Sequence, residues 1–193
     1  IITFTNYWEA FGGMDQYIKW CNEAGLGNNL NRDDFYTNET CKKWYKDYIN
    51  GLLNHTNYYT GEKLKDSEAV FAWELANEPR CEKNDAYCKN DILYNWAKEM
   101  SAYVKSVDPY HMVAVGDEGF YNFDRQSEPY KSTVDSDYAF SGNPGVDFDK
   151  LISIDTIDFG TPHFYCDSWS LKIDGVGKNG GDDDMDWLKL HAQ

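Results

Sequence analysis

The sequence predicts an α/β domain in which helices cover a parallel β-sheet, and three observations carry that reading. Short apolar runs rich in β-branched and aromatic residues alternate with longer stretches whose apolar residues recur at helical spacing. The short runs are continuously apolar, as strands buried on both faces are, rather than alternating apolar with polar. Each run is followed directly by polar or aromatic residues, so such groups collect at one end of the sheet.

The first strand is "IITFT", residues 1–5. After the turn at Gly12-Gly13, "MDQYIKWCNEAG" places Met14, Tyr17, Ile18 and Cys21 on one face of a helix that Gly25 should stop. A second helix is expected from Asn38, a good N-cap, through "ETCKKWYKDYINGLLN", with Trp44, Tyr45, Tyr48, Ile49 and Leu52 on one side. "NYYTGEKLKDS" is polar and turn-rich, hence a loop. "AVFAWELA" is the second strand, and Pro79 forbids its regular continuation. "NDILYNWAKEMSAYVKSVDP" is a helix ending before Pro109. "HMVAVG" is the third strand, "VDFDKLIS" a short helix, "IDFGTPHFY" the fourth strand, and "MDWLKLHA" starts a final helix. No internal repeat, low-complexity tract or linker interrupts residues 1–193, which read as one domain.

Charge narrows the partners. A formal net charge of -15 repels both a nucleic-acid backbone and an anionic membrane, and no apolar run is long enough to span a bilayer. A neutral partner is the inference, and aromatics at 17% of residues suit one with flat apolar faces. The chain starts in a strand, without Met and without a basic-then-apolar leader, and is expected to be processed or a piece of something longer. Five cysteines leave at least one without a partner inside the chain, while Cys81 and Cys88 in "CEKNDAYC" are spaced to close a small loop. The acceptor sequons at Asn38 and Asn54 favour export as a glycoprotein.

Glu78 leads the candidates for chemistry. A carboxyl at a strand end beside Trp and Phe is expected to have a raised pKa and to serve as a general acid, with a surface salt bridge to Arg80 as the bland alternative. Asn77 stands ready to donate to a substrate hydroxyl. Glu118 in "GDEGF" reads equally as a second carboxylate or as a loop anchor, and Glu74, inside the strand, as an internal partner. His163 and Tyr165 flank Phe164 and share a side in an extended segment. Trp8 and Trp169 follow strands and read equally as sugar-stacking faces or as core, whereas Trp20, Trp44 and Trp96 fall on helical stripes and read as core. No phosphate loop or "GxSxG" appears, the four histidines lack metal-ligand spacing, and "GGDDDMD" lacks an EF-hand's order and reads as a solvated acidic turn.

Taken together, "TNYWEAFGGMDQYIKW", "YTGEKLKDSEAVFAWELANEPR", "VDPYHMVAVGDEGF" and "IDFGTPHFYCDSW" resemble successive segments of the fungal-type endo-β-1,4-mannanases of glycoside hydrolase family 5. The resemblance implies a (β/α)8 TIM barrel, of which this chain supplies roughly the third to sixth βα units, as part of a single catalytic domain. It implies retaining hydrolysis of β-mannan with neither metal nor organic cofactor; the protein is expected to be extracellular and monomeric when full length. Glu78 would be the acid/base, Asn77 would bind the neighbouring 2-hydroxyl, and Arg80 and Glu118 would meet sugars on the leaving-group side. His163 and Tyr165 would line the catalytic subsites, and Trp8 and Trp169 would be stacking platforms. The family's nucleophile, a second Glu on a later strand, has no counterpart here, so these residues alone are expected to be inactive and poorly stable. A family 5 β-glucanase and a non-catalytic carbohydrate-binding domain are the competing readings.

Overall fold

The computed structural model describes residues 1–9, 12–27, 29–82, 85–88, 91–122, 138–165 and 183–192. Its centre is a parallel sheet in the order β1 (Ile2–Thr3), β2 (Ala72–Glu74), β3 (Met112–Ala114). Ile2 faces Trp73 across the first pair, and Trp73 faces Val113 across the second. Backbone pairing runs on past these short ladders. Leu75 and Ala76 donate to Ala114 and Val115, Asn77 donates to Thr5, and Glu78 donates to Gly116 at 2.8 Å. The ends of the strands are thereby held in register right up to the residues that follow them.

Helices cover the sheet because their apolar residues fall on single stripes. Helix α1 (Gly13–Glu23) buries Met14, Ile18 and Cys21, and α2 (Glu39–Leu53) buries Cys41, Tyr45, Ile49 and Leu53 at every fourth position. The Asn38 side chain caps α2 by accepting from Thr40 and Cys41 N–H, as the sequence predicts. After a four-residue helix α3 (Asp85–Cys88), α4 (Ile92–Val107) buries Leu93, Trp96, Ala97, Met100 and Val104. Tyr17, Phe35, Tyr36, Tyr45 and Trp96 interlock with ring centroids 5.3–6.2 Å apart. Further along, α5 (Phe148–Ile152) is capped by Asp147, and α6 (Asp183–His191) seats a fully buried Trp187 against Tyr121 and Phe140.

Two expectations are corrected. The stretch at 157–165 runs beside β3 without forming a ladder. The Asp158 carboxylate takes the Val113 N–H that a strand's carbonyl would take, and Pro162 has no N–H to offer. Trp20 is also no core residue. It is half-exposed and, with Thr3, Thr5, Tyr17 and Tyr48, lines a cavity of about 520 Å³ along the open edge of β1. Trp96 is buried as expected, and Trp44 packs at the edge of the core.

Candidate active site

The residues that follow β1, β2 and β3 converge with those of 157–165 at the carboxyl end of the sheet. At the end of β1, Met14 N–H bonds to Asn6 O, so α1 begins directly over the segment holding Asn6 and Trp8. Only a glycine fits at position 13, since a Cβ there would press on the Asn6 and Trp8 carbonyls. Asn6 then orders its surroundings. Its side-chain oxygen accepts from Trp8 N–H (3.2 Å) and from the Asn77 amide (3.1 Å).

Glu78 leaves the end of β2 in a left-handed conformation, with φ of +50°. A non-glycine residue adopts that region only with strain, and here the backbone bond from Glu78 N–H to Gly116 helps hold it in place. The turn aims the carboxylate between two donors. Trp8 Nε1 reaches Oε2 at 2.5 Å, and His163 Nδ1 lies 2.7 Å from Oε1. The expected alternative, a salt bridge from Glu78 to Arg80, is not what forms.

Arg80 turns the other way. Its guanidinium grips the Glu118 carboxylate with both Nε (2.7 Å) and Nη2, and donates from Nη1 to Tyr138 Oη (2.5 Å). The rings of Trp8, Phe120 and Tyr138 stand 5.0–5.4 Å from its centre, so the cation is enclosed by aromatic faces. Glu118 is 1% exposed and presents its carboxylate to Arg80. Asn77 is half-buried on Asn6, and Tyr165 is 55% exposed with its ring 6.4 Å from that of His163. Trp8 is partly exposed and touches both groups, donating to Glu78 and facing Arg80. Trp169 lies outside the described residues. Glu74, as expected, serves internally by accepting from Thr3 Oγ1 at 2.7 Å.

The electrostatics follow from these partners. The raised pKa expected of Glu78 is corrected: the bond from His163 holds its carboxyl below the ordinary range, outweighing burial and helped by Trp8. Burial pulls His163 down, but its bond to Glu78 and the charges of Glu78, Glu118 and Glu74 leave it raised. Burial raises Glu118 despite Arg80, and pushes the fully buried Asp117 up to about 7. Residues 78 and 163 thus share one proton across 2.7 Å, which a carboxylic acid or a carboxylate can exchange with a bound substrate. Asp33, Cys81 and Cys88 cluster closely enough to suggest metal ligands, but the two sulfurs are joined in a disulfide and offer no thiolate.

Sequence reasoning missed the cage around Arg80. Phe120 sits inside the quoted "GDEGF" and was within reach of that motif. Tyr138 arrives from 58 residues along the chain, with no local signal.

Comparison with known proteins places this arrangement. A family model described as glycoside hydrolase family 5, β-mannosidase-like, matches residues 1–139. Mannan endo-1,4-β-mannosidase 8 of Oryza sativa subsp. japonica is 39% identical over 169 residues, 88% of this chain and 43% of that protein. Mannan endo-1,4-β-mannosidase A of Aspergillus aculeatus is 38% identical over 195 residues, covering 100% of this chain and 42% of its own length. The crystal structure of an endo-1,4-β-mannanase from Rhizomucor miehei superimposes with a TM-score of 0.79 at 40% identity, over 98% of this chain and 49% of that one. The chain therefore spans about two-fifths of the length of these curated relatives, and its sheet and helices are a sector of their (β/α)8 barrel. By its family match and by this likeness in sequence and fold, the chain belongs to the β-mannosidase-like members of glycoside hydrolase family 5.

Proposed function

We propose that the whole protein cuts β-1,4-mannosidic bonds within mannan polymers by retaining double displacement, with Glu78 as general acid/base. The observation that carries this reading is the Glu78 carboxyl held between Trp8 and His163 at the carboxyl end of the parallel sheet. The names of the relatives, mannan endo-1,4-β-mannosidases, support the substrate class. In the first step Glu78 gives its proton to the departing sugar oxygen, and in the second it takes one from water. His163 lets the same carboxyl serve both steps, because the shared proton needs to move only across their hydrogen bond. Asn77 binds the 2-hydroxyl beside the bond being cut, while Tyr165 lines the sugar path. Arg80 faces the leaving-group side with Glu118 fixing its orientation.

Retention needs a second carboxyl about 5–5.5 Å away across the sugar. Glu118 is committed to Arg80, so the nucleophile comes from another part of the whole protein. The reading includes an extracellular, glycosylated, monomeric enzyme without a cofactor.

The test is Glu78→Gln in the full-length protein, assayed on galactomannan and on carboxymethylcellulose. Turnover should fall by about 10²–10⁴-fold while mannan binding is retained. Unchanged turnover defeats the assignment of Glu78, and a wild-type preference for carboxymethylcellulose moves the substrate from mannan to glucan.

A further inference from the structure

The described residues hold two buried thiols that the proposed reaction does not use. Cys21 lies in α1 and Cys41 in α2, and both are 0% exposed. Their sulfurs are 2.8 Å apart, inside the contact distance of two unbonded sulfur atoms. Each lies on the inward stripe of its helix, so the packing of α1 on α2 brings them together. Burial, with Cys21 alongside, pushes the Cys41 thiol well above the ordinary range. A thiol pair in such a place is a poor nucleophile once folded, and among the described residues no histidine or basic side chain is hydrogen-bonded to either sulfur.

We propose that Cys21 and Cys41 are joined by a disulfide that staples α1 to α2. Closing the remaining gap needs only a small side-chain adjustment, because the two sulfurs already face each other. The Cys81–Cys88 disulfide in the same chain points to folding in an oxidising compartment, where a second bridge forms by the same chemistry. The oxidant is a disulfide-exchange protein or a small-molecule disulfide. One cysteine thiolate attacks a sulfur of the oxidant's disulfide, whose other sulfur leaves as a thiolate. The second cysteine thiolate then displaces the oxidant from the mixed disulfide. Overall two thiols lose two protons and two electrons, the Cys21–Cys41 bond forms, and the oxidant's disulfide becomes a dithiol. Exchange takes place before α1 and α2 have packed, since both sulfurs are sealed from solvent afterwards. The bridge encloses the loop that carries Asp33, Phe35 and Tyr36 into the aromatic core.

The experiment uses the full-length protein made through a eukaryotic secretory pathway, denatured at acid pH, alkylated without reduction and mapped by mass spectrometry. The expected result is a linked pair of peptides containing Cys21 and Cys41 that separates on reduction. The Cys81–Cys88 link serves as reference, and alkylated Cys21 and Cys41 beside an intact reference link overturn the proposal. A double-mutant cycle gives an independent readout. If the bridge exists, Cys21→Ala, Cys41→Ala and the double variant each lower Tm by the same amount, roughly 5–10 °C. Additive losses from the two single variants also overturn it.

Discussion

Two charged side chains leave the chain on either side of Pro79 and meet opposite fates. Glu78 pairs with His163 at a site where both side chains keep some exposure, 14% and 22%. Arg80 pairs with Glu118 where exposure falls to 9% and 1%, behind three aromatic rings. The first pair can exchange a proton with something that arrives. The second is locked, since a guanidinium does not titrate in the working range and its carboxylate has no route to water. Proton chemistry and fixed charge are thus separated by a single proline, with Trp8 in contact with both.

The largest test of this contrast removes the locked cation. Arg80→Met leaves Glu118 buried and unpaired, and should cost about 3–5 kcal/mol in urea unfolding of the full-length protein. A cost near that of an exposed salt bridge, under about 1 kcal/mol, breaks the distinction.

Next in size is Asp117, buried beside the locked pair and accepting a bond from Gly119 N–H at 2.9 Å. Its folded pKa of about 7 exceeds the ordinary 3.8, so the folded state binds the proton more tightly than the unfolded chain. Stability contributed by that proton is present below pH 4 and lost as pH rises through 7. Asp117→Asn keeps the acceptor for Gly119 and should stabilise the protein by roughly 1–4 kcal/mol at pH 8, with little effect at pH 4. Equal unfolding curves for variant and parent across that range contradict the assignment.

The smallest effect sharpens the role of Trp8. Trp8→Phe keeps a ring over Arg80 but deletes the N–H on Glu78. That donor favours the ionised carboxylate, so its loss lets the Glu78 pKa climb back toward the ordinary value. The alkaline limb of the pH dependence of kcat/KM should move to higher pH, with a rate loss of about tenfold or less. An unmoved limb would make Trp8 a stacking surface and nothing more.

The sequence made some of this arrangement legible and concealed the rest for physical reasons. The Asn38 cap, the stop before Pro109 and the Cys81–Cys88 loop are local signals that the structure carries, and the helical stripes hold in part, since Trp20 and Tyr48 on them are exposed. The convergence of groups at the carboxyl end of the sheet follows from parallel topology, so Glu78 and His163 could be brought together before any coordinates. What stayed hidden depends on backbone direction and on long-range partners. The positive φ at Glu78, which sends it away from Arg80, has no signature in "NEPR". The meeting of Cys21 with Cys41 needs the crossing of two helices, and the Asp158 side chain that replaces a strand bond cannot be told from any other aspartate.

The hold on Glu78 has a consequence for how the protein ages or warms. Its two donors come from segments 70 and 85 residues away, each anchored in a different part of the fold. Loosening of either anchor releases the carboxylate while the helices are still intact. Catalytic output is therefore an early-warning gauge: on gradual heating, turnover should fade several degrees before the far-ultraviolet helix signal begins to drop.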